Sequence, residues 1–137
     1  MSEQSQPMHQ TVLSAGADIC ASEDAILHPK QITMVKTGYR LPDDWKYEYV
    51  DMCIMLYPRS SLSYKRGLML ANSVGVIDID YPDEIGIMLY NTTVHNVEIK
   101  AGERIAQLVM QPIVRPWEIK DAKRTGGFGS TDHADAH

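Results

Sequence analysis

Asp78 and Asp80 stand two residues apart in Gly75-Val76-Ile77-Asp78-Ile79-Asp80-Tyr81. On a strand both carboxylates face one way while Ile77 and Ile79 face the other. Such an Asp can align a water and accept its proton; it can equally serve as a turn former. Pro58-Arg59-Ser60-Ser61-Leu62 supplies a guanidinium and two hydroxyls at a possible helix start. That set suits phosphate oxygens, or forms an ordinary strand-to-helix cap. In Ser14-Ala15-Gly16-Ala17-Asp18 small residues surround an acid, which leaves room for a ligand or a hydrated metal, or marks a strand edge with a turn. Gln107 is a polar residue inside the apolar run Gly102–Val109, and alone it reads as an outward strand position. Arg124–Thr131 joins a cation to Gly, Ser and Thr, a combination able to bind an anion. Phe128, the one phenylalanine of the chain, lies between glycines there, where its ring can cover a flat base in the manner of a lid.

The elements that would carry these residues are short apolar runs broken by turn residues. Gln31–Lys36, Tyr49–Tyr57, Ile85–Tyr90, His95–Lys100 and Arg104–Gln111 are rich in Val, Ile, Met and Tyr. QITMVK and HNVEIK alternate with period two, the pattern of half-buried strands. No long segment holds a helical stripe. One short helix is expected from Ser60 to about Arg66, capped by Ser60 and ended by Gly67. The class is therefore all-β, a barrel or sandwich with one short helix. Residues 1–122 are expected to form the barrel, and 123–137 a flexible arm whose composition cannot sustain a fold of its own. Pro42–Asp51 is expected to be a surface excursion.

The formal net charge is -5, which argues against a broad cationic grip on nucleic acid. No run approaches the ~18 apolar residues of a membrane span. The polar opening, MSEQSQPMHQ, has no basic or apolar stretch of the secretory kind. A cytoplasmic protein with no membrane or nucleic-acid partner is expected. Cys20 and Cys53 are expected to be free, buried thiols. The five histidines show no zinc spacing, and no structural metal is assigned.

No one segment is specific, but their joint order is. AGAD (15–18), PRSSL (58–62), NSVGVIDIDY (72–81), GERIAQLV (102–109) and RTGGFGST (124–131) together resemble the five ordered motifs of the trimeric dUTPase family, over nearly the whole chain. The resemblance implies a jelly-roll-like β barrel of the β-clip kind. It also implies a homotrimer with active sites shared between subunits, and magnesium-dependent hydrolysis of dUTP to dUMP and pyrophosphate. That reaction limits uracil incorporation in DNA and supplies dUMP for dTMP synthesis. Asp78 would activate the attacking water, and Gln107 would help orient it. Arg59, Ser60, Ser61, Asn72, Gly75, Tyr81, Arg124, Phe128, Gly129, Ser130 and Thr131 would bind substrate. Mg2+ would be held mainly by phosphates and waters, with Asp18 touching a metal-bound water. Asn72 and hairpin backbone would read uracil, and Tyr81 would pack under the deoxyribose.

The sequence departs from the family pattern in three places. Asp83 stands where Gly usually follows the hairpin Tyr by two residues. Arg124 lies one residue nearer Phe128 than usual, which leaves Lys123 as a rival for the phosphate. Asp132 replaces the closing Gly. Two alternatives remain open at this point: a dCTP deaminase or bifunctional deaminase and diphosphatase, and a non-catalytic protein that senses dUTP.

Overall fold

A computed structural model describes residues 6–120. Lys123, Arg124, Phe128, Gly129, Ser130, Thr131 and Asp132, and with them the expected arm over 123–137, lie outside the described residues.

Among the described residues nine strands and two short helices follow in the order β1 (Ala17–Cys20), β2 (Ala25–Leu27), β3 (Ile32–Lys36), α1 (Trp45–Glu48), β4 (Met52–Tyr57), α2 (Ser60–Arg66), β5 (Leu68–Leu70), β6 (Gly75–Asp78), β7 (Gly86–Asn91), β8 (Val97–Ile99) and β9 (Arg104–Pro112). All named pairings are antiparallel. They build a four-stranded sheet β1-β9-β4-β6, a three-stranded sheet β3-β7-β5 and a pair β2-β8. The expected all-β class is what the chain adopts. Among the described residues no helix is long and apolar enough to cross a membrane.

The sheets close on one apolar cluster. Ile19, Leu27, Leu68, Ile87, Ile99 and Ile105 show no exposed surface. Burying each such side chain contributes roughly 1.5–3 kcal/mol. Two polar residues share this interior, and both are satisfied. Asn91 Nδ2 donates to the carbonyls of Leu27 (2.8 Å) and His95 (2.7 Å), and its Oδ1 accepts from Thr93 N–H (2.9 Å). Thr37 Oγ1 donates to the Ile85 carbonyl at 2.6 Å.

Three expectations need correction. There are two short helices, not one, because the 42–51 excursion contains α1. Its aromatic residues have a packing reason: Trp45 and Tyr49, four apart and so on one side of the turn, meet edge to face at 5.4 Å and pack against the core. The second correction concerns α2. Its N-cap is Arg59, in an extended conformation with no side-chain cap bond, and Ser60 is the first helical residue. The expected stop holds: Gly67 takes φ +67°, the left-handed region that glycine enters without steric cost. The third concerns the thiols. Both cysteines are free, but only Cys53 is buried, and Cys20 is half-buried.

Candidate active site

The outward face of the four-stranded sheet carries the chemistry. Asp18 (β1) pairs with Gln107 (β9), and Gln107 pairs with Tyr57 (β4). Residues directly opposite in antiparallel strands project from the same face, so these three form one row. Cys53 (β4) pairs with both Gln111 (β9) and Asp78 (β6), which makes a second row four residues further along. Between the rows lie Met55, Val76 and Val109, of which Val76 is 66% exposed.

At the first row Asp18, Arg59 and Gln107 come together. The Asp18 side chain is 12% exposed, and Arg59 Nε sits 3.3 Å from its Oδ1. Arg59 Nη1 also donates to the Arg104 carbonyl at 3.3 Å. Gln107 Nε2 donates to the Pro58 carbonyl at 3.1 Å, which ties β9 to the entrance of α2. Ser60 is exposed at that entrance and Ser61 is half-buried.

Two members of this cradle were not singled out in the sequence. Arg104 Nη1 lies 3.4 Å from Asp18 Oδ2, so both carboxylate oxygens face guanidinium groups. Strict alternation would send Arg104, three residues from Gln107, to the opposite face. A register shift between Ile19 and Cys20 pairs Cys20 with Arg104, and Ile105 and Ala106 are both fully buried. Such a bulge re-aims the side chain beyond it. The second is Gly16, where a Cβ would lie 3.1 Å from Gln107 Cβ and Cδ, so the glycine leaves space for Gln107. Residues just before it brace the cradle. Met8 and Asp18 exchange backbone hydrogen bonds (3.0 and 2.8 Å), and His9 Nδ1 donates to the Gly16 carbonyl at 3.0 Å.

At the second row Asp78 is exposed at the end of β6, and the Tyr81 N–H closes a turn on its carbonyl at 3.0 Å. Ile79 is buried, but the strand carrying both acids is shorter than expected: β6 ends at Asp78, and Asp80 lies in the turn beyond it, where the Tyr81 N–H bonds back to the Asp78 carbonyl. Asn72 is exposed in the turn entering β6. There Ser73 takes φ +64°, and the Val74 N–H donates to the Asn72 carbonyl at 2.7 Å. Gly75 is fixed by packing, since a Cβ would lie 2.9 Å from Leu56 Cβ. Tyr81 is 9% exposed and belongs to the core cluster.

Asp78 and Gln107 are not brought together within one chain. Two strand spacings across and four residues along put them roughly 16 Å apart. Burial raises the Cys53 thiol beside Asp78 above its ordinary value of 9.0, the carboxylate adds to the rise, and Arg115 opposes it. Burial likewise raises the Cys20 thiol, which feels Arg104, Asp18 and Arg59 together.

A family profile described as dUTPase matches residues 3–132. The chain belongs to the dUTPase family. It is 38% identical over 131 residues to the deoxyuridine 5'-triphosphate nucleotidohydrolase of Nautilia profundicola, covering 91% of this chain and 89% of that one. The corresponding protein of Neisseria meningitidis is 40% identical over 134 residues, with coverage of 91% and 86%. Among solved structures, the dUTPase from Streptococcus mutans superposes with a TM-score of 0.77 at 32% identity, over 86% of this chain and 93% of that one. A mutant dUTPase of Staphylococcus bacteriophage 80alpha with dUpNHpp gives 0.70 at 26% identity, with coverage of 95% and 94%. The segments AGAD, PRSSL and GERIAQLV thus meet at one cradle, and NSVGVIDIDY forms β6 with the turns on either side of it, at the edge of the same sheet. Asp83 fits its turn without a glycine, because it is not among the positive-φ residues.

Proposed function

We propose that this dUTPase-family chain hydrolyses dUTP to dUMP and pyrophosphate by water attack on the α-phosphorus. One observation carries the reading. A cradle of two arginines, a carboxylate and a glutamine shares a sheet face with the exposed carboxylate of Asp78 at the end of the edge strand β6. Arg59 and the Ser60 and Ser61 hydroxyls offer donors to phosphate oxygens, where negative charge grows during the reaction. Asp78 takes the proton of the attacking water as the bond from the α-phosphorus to the bridging oxygen breaks. Gln107, held by its bond to Pro58, orients the water and the α-phosphate. Asn72 and the backbone of residues 72–81 pair with uracil, and Tyr81 packs beneath the sugar, where an added 2′-hydroxyl would clash. Arg124, Phe128, Gly129, Ser130 and Thr131 close over the bound nucleotide.

Among the described residues no three His, Cys, Asp or Glu side chains gather into a metal cage. The donor set fits a hydrated magnesium ion accompanying the phosphates, and Asp18 would be the residue to hold it, by accepting from a metal-bound water. When bound, the ion draws negative charge from the phosphate chain.

The separation of Asp78 from Gln107 supports sites shared between copies in a homotrimer. A copy packed head to tail on the Met55–Val76–Val109 strip would carry its Asp78 towards the neighbouring cradle, and a rotation of one third of a turn would close such contacts into a ring. The cytoplasm, where nucleotides pool and thiols stay reduced, suits the substrate and the two free cysteines. There the reaction would limit uracil in DNA and supply dUMP.

The deciding experiment is a substrate panel of dUTP, dTTP, dCTP and UTP with magnesium, read for pyrophosphate and ammonia together. Pyrophosphate from dUTP alone is expected. Ammonia from dCTP would mean a deaminase, and bound but uncleaved dUTP would mean a sensor.

A further inference from the structure

We propose that Arg104 is a positioning residue that sets the charge of the phosphate cradle through Asp18, holding that carboxylate so that Arg59 can serve the substrate. The inference rests on the dUTP reading above. Asp18 offers one oxygen to each arginine, Oδ1 to Arg59 Nε at 3.3 Å and Oδ2 to Arg104 Nη1 at 3.4 Å. Its side chain is 12% exposed, so water screens it poorly. Two guanidinium groups and one carboxylate leave the cluster a formal +1. With Arg59 and Asp18 alone the charges cancel, and a polyanion entering the cradle would meet the carboxylate with no net attraction to offset it.

The backbone of Arg104 reinforces the arrangement. Its carbonyl accepts from Arg59 Nη1 at 3.3 Å while Asp18 takes Nε, so Arg104 is one of Arg59's two partners and its guanidinium holds the other. Arg59 is held at two of its three nitrogens, Nε and Nη1, and among the described residues Nη2 makes no hydrogen bond. The bulge after Ile19 is what places Arg104 on this face. Because the role runs through Asp18, removing the carboxylate should make Arg104 dispensable. An arginine that merely bonded phosphate would still be missed.

The test uses the full-length chain carrying Asp78→Asn to stop turnover, with dUTP binding followed by titration calorimetry in EDTA so that metal hydration does not enter. Arg104 is 46% exposed, so truncating it leaves no buried void. Arg104→Met should weaken dUTP binding about tenfold, the order expected for one unit charge a few ångströms from phosphate at a protein surface. The loss should shrink as salt rises. Deoxyuridine, which has no phosphate, should bind as before. Adding Asp18→Asn to Arg104→Met restores the +1 and should bring dUTP affinity back to near that of the parent, and Arg104→Lys should keep most of it. If Arg104→Met does not fold, Arg104→Lys against Arg104→Gln reads the same charge difference. Equal loss for deoxyuridine, no loss for dUTP, or a double variant no better than Arg104→Met would each overturn the proposal. Failure of the Asp78-containing parent to cleave dUTP would instead overturn the functional reading on which it rests.

Discussion

Gly16→Ala isolates the space that Gln107 needs. The Gly16 backbone does not occupy the left-handed region, so alanine adds no conformational strain. Its Cβ would lie 3.1 Å from Gln107 Cβ and Cδ, and closer still to Oε1. The end of the glutamine can swing away, but only by giving up its hydrogen bond to the Pro58 carbonyl. A net loss of about 1 kcal/mol follows for that bond. Forcing the side chain off its rotamer costs a further ~0.5–1.5 kcal/mol. The variant should therefore be destabilised by about 2 kcal/mol, seen as a lower urea midpoint at unchanged slope. Catalysis should suffer more than folding, since Gln107 would no longer aim at the water and α-phosphate. Losing one aligned donor in a transition state typically costs ~10²–10³ in kcat, and KM for dUTP should change little. In a Gln107→Ala background the Cδ and Oε1 collisions are gone, so Gly16→Ala should cause no further drop in kcat and a clearly smaller loss of stability. A Gly16→Ala protein with parental kcat would refute the reasoning. So would a stability loss that is identical with and without the glutamine side chain.

Asp78→Asn should abolish pyrophosphate release while leaving dUTP binding largely intact; unchanged turnover would show that another group takes the proton. Truncation after Asp121 should collapse kcat without changing the circular dichroism of the barrel, and a fully active truncated chain would remove the closing role given to Phe128. Ser73→Val should destabilise by about 1–2 kcal/mol, because a branched residue tolerates positive φ poorly, whereas Ser73→Gly should be nearly neutral by the same urea titration. Burial raises the Cys53 thiol above 9.0 and the Tyr39 hydroxyl above 10.0, so folding favours their neutral forms. Stability from these groups is fully present below pH 9 and lost as pH climbs through their raised values, so the thermal midpoint should be flat up to about pH 9 and fall beyond it.

β3, β7 and β9 were legible because each has a run long enough to show alternation or sustained apolar character, and the three-residue β8 showed through the longer alternation of HNVEIK around it. β4 was legible too, but its run was read from Tyr49 whereas the strand begins at Met52, since Tyr49 is tied into the turn that ends α1. β1, β2 and β5 span only three or four residues, too few for a period to register. The single turn of α1 escaped for the same reason, and its packing comes from Trp45 meeting a core that local sequence does not reveal. In the site, the ordered motifs identified Asp18, Arg59 and Gln107, and the fold gathers them at one end of a sheet. Arg104 stayed hidden because a bulge breaks the alternation on which strand reasoning depends. Gly16 was visible as a small residue, but what it makes room for is a cross-strand fact. The distance between Asp78 and Gln107 follows from strand order, which no local pattern encodes.

That distance bears on inheritance. If copies pool their halves, a chain sound in one half and ruined in the other still helps its neighbours. Two differently crippled alleles expressed together could then recover activity that neither has alone, whereas an allele broken in both halves would drag down healthy chains that co-assemble with it.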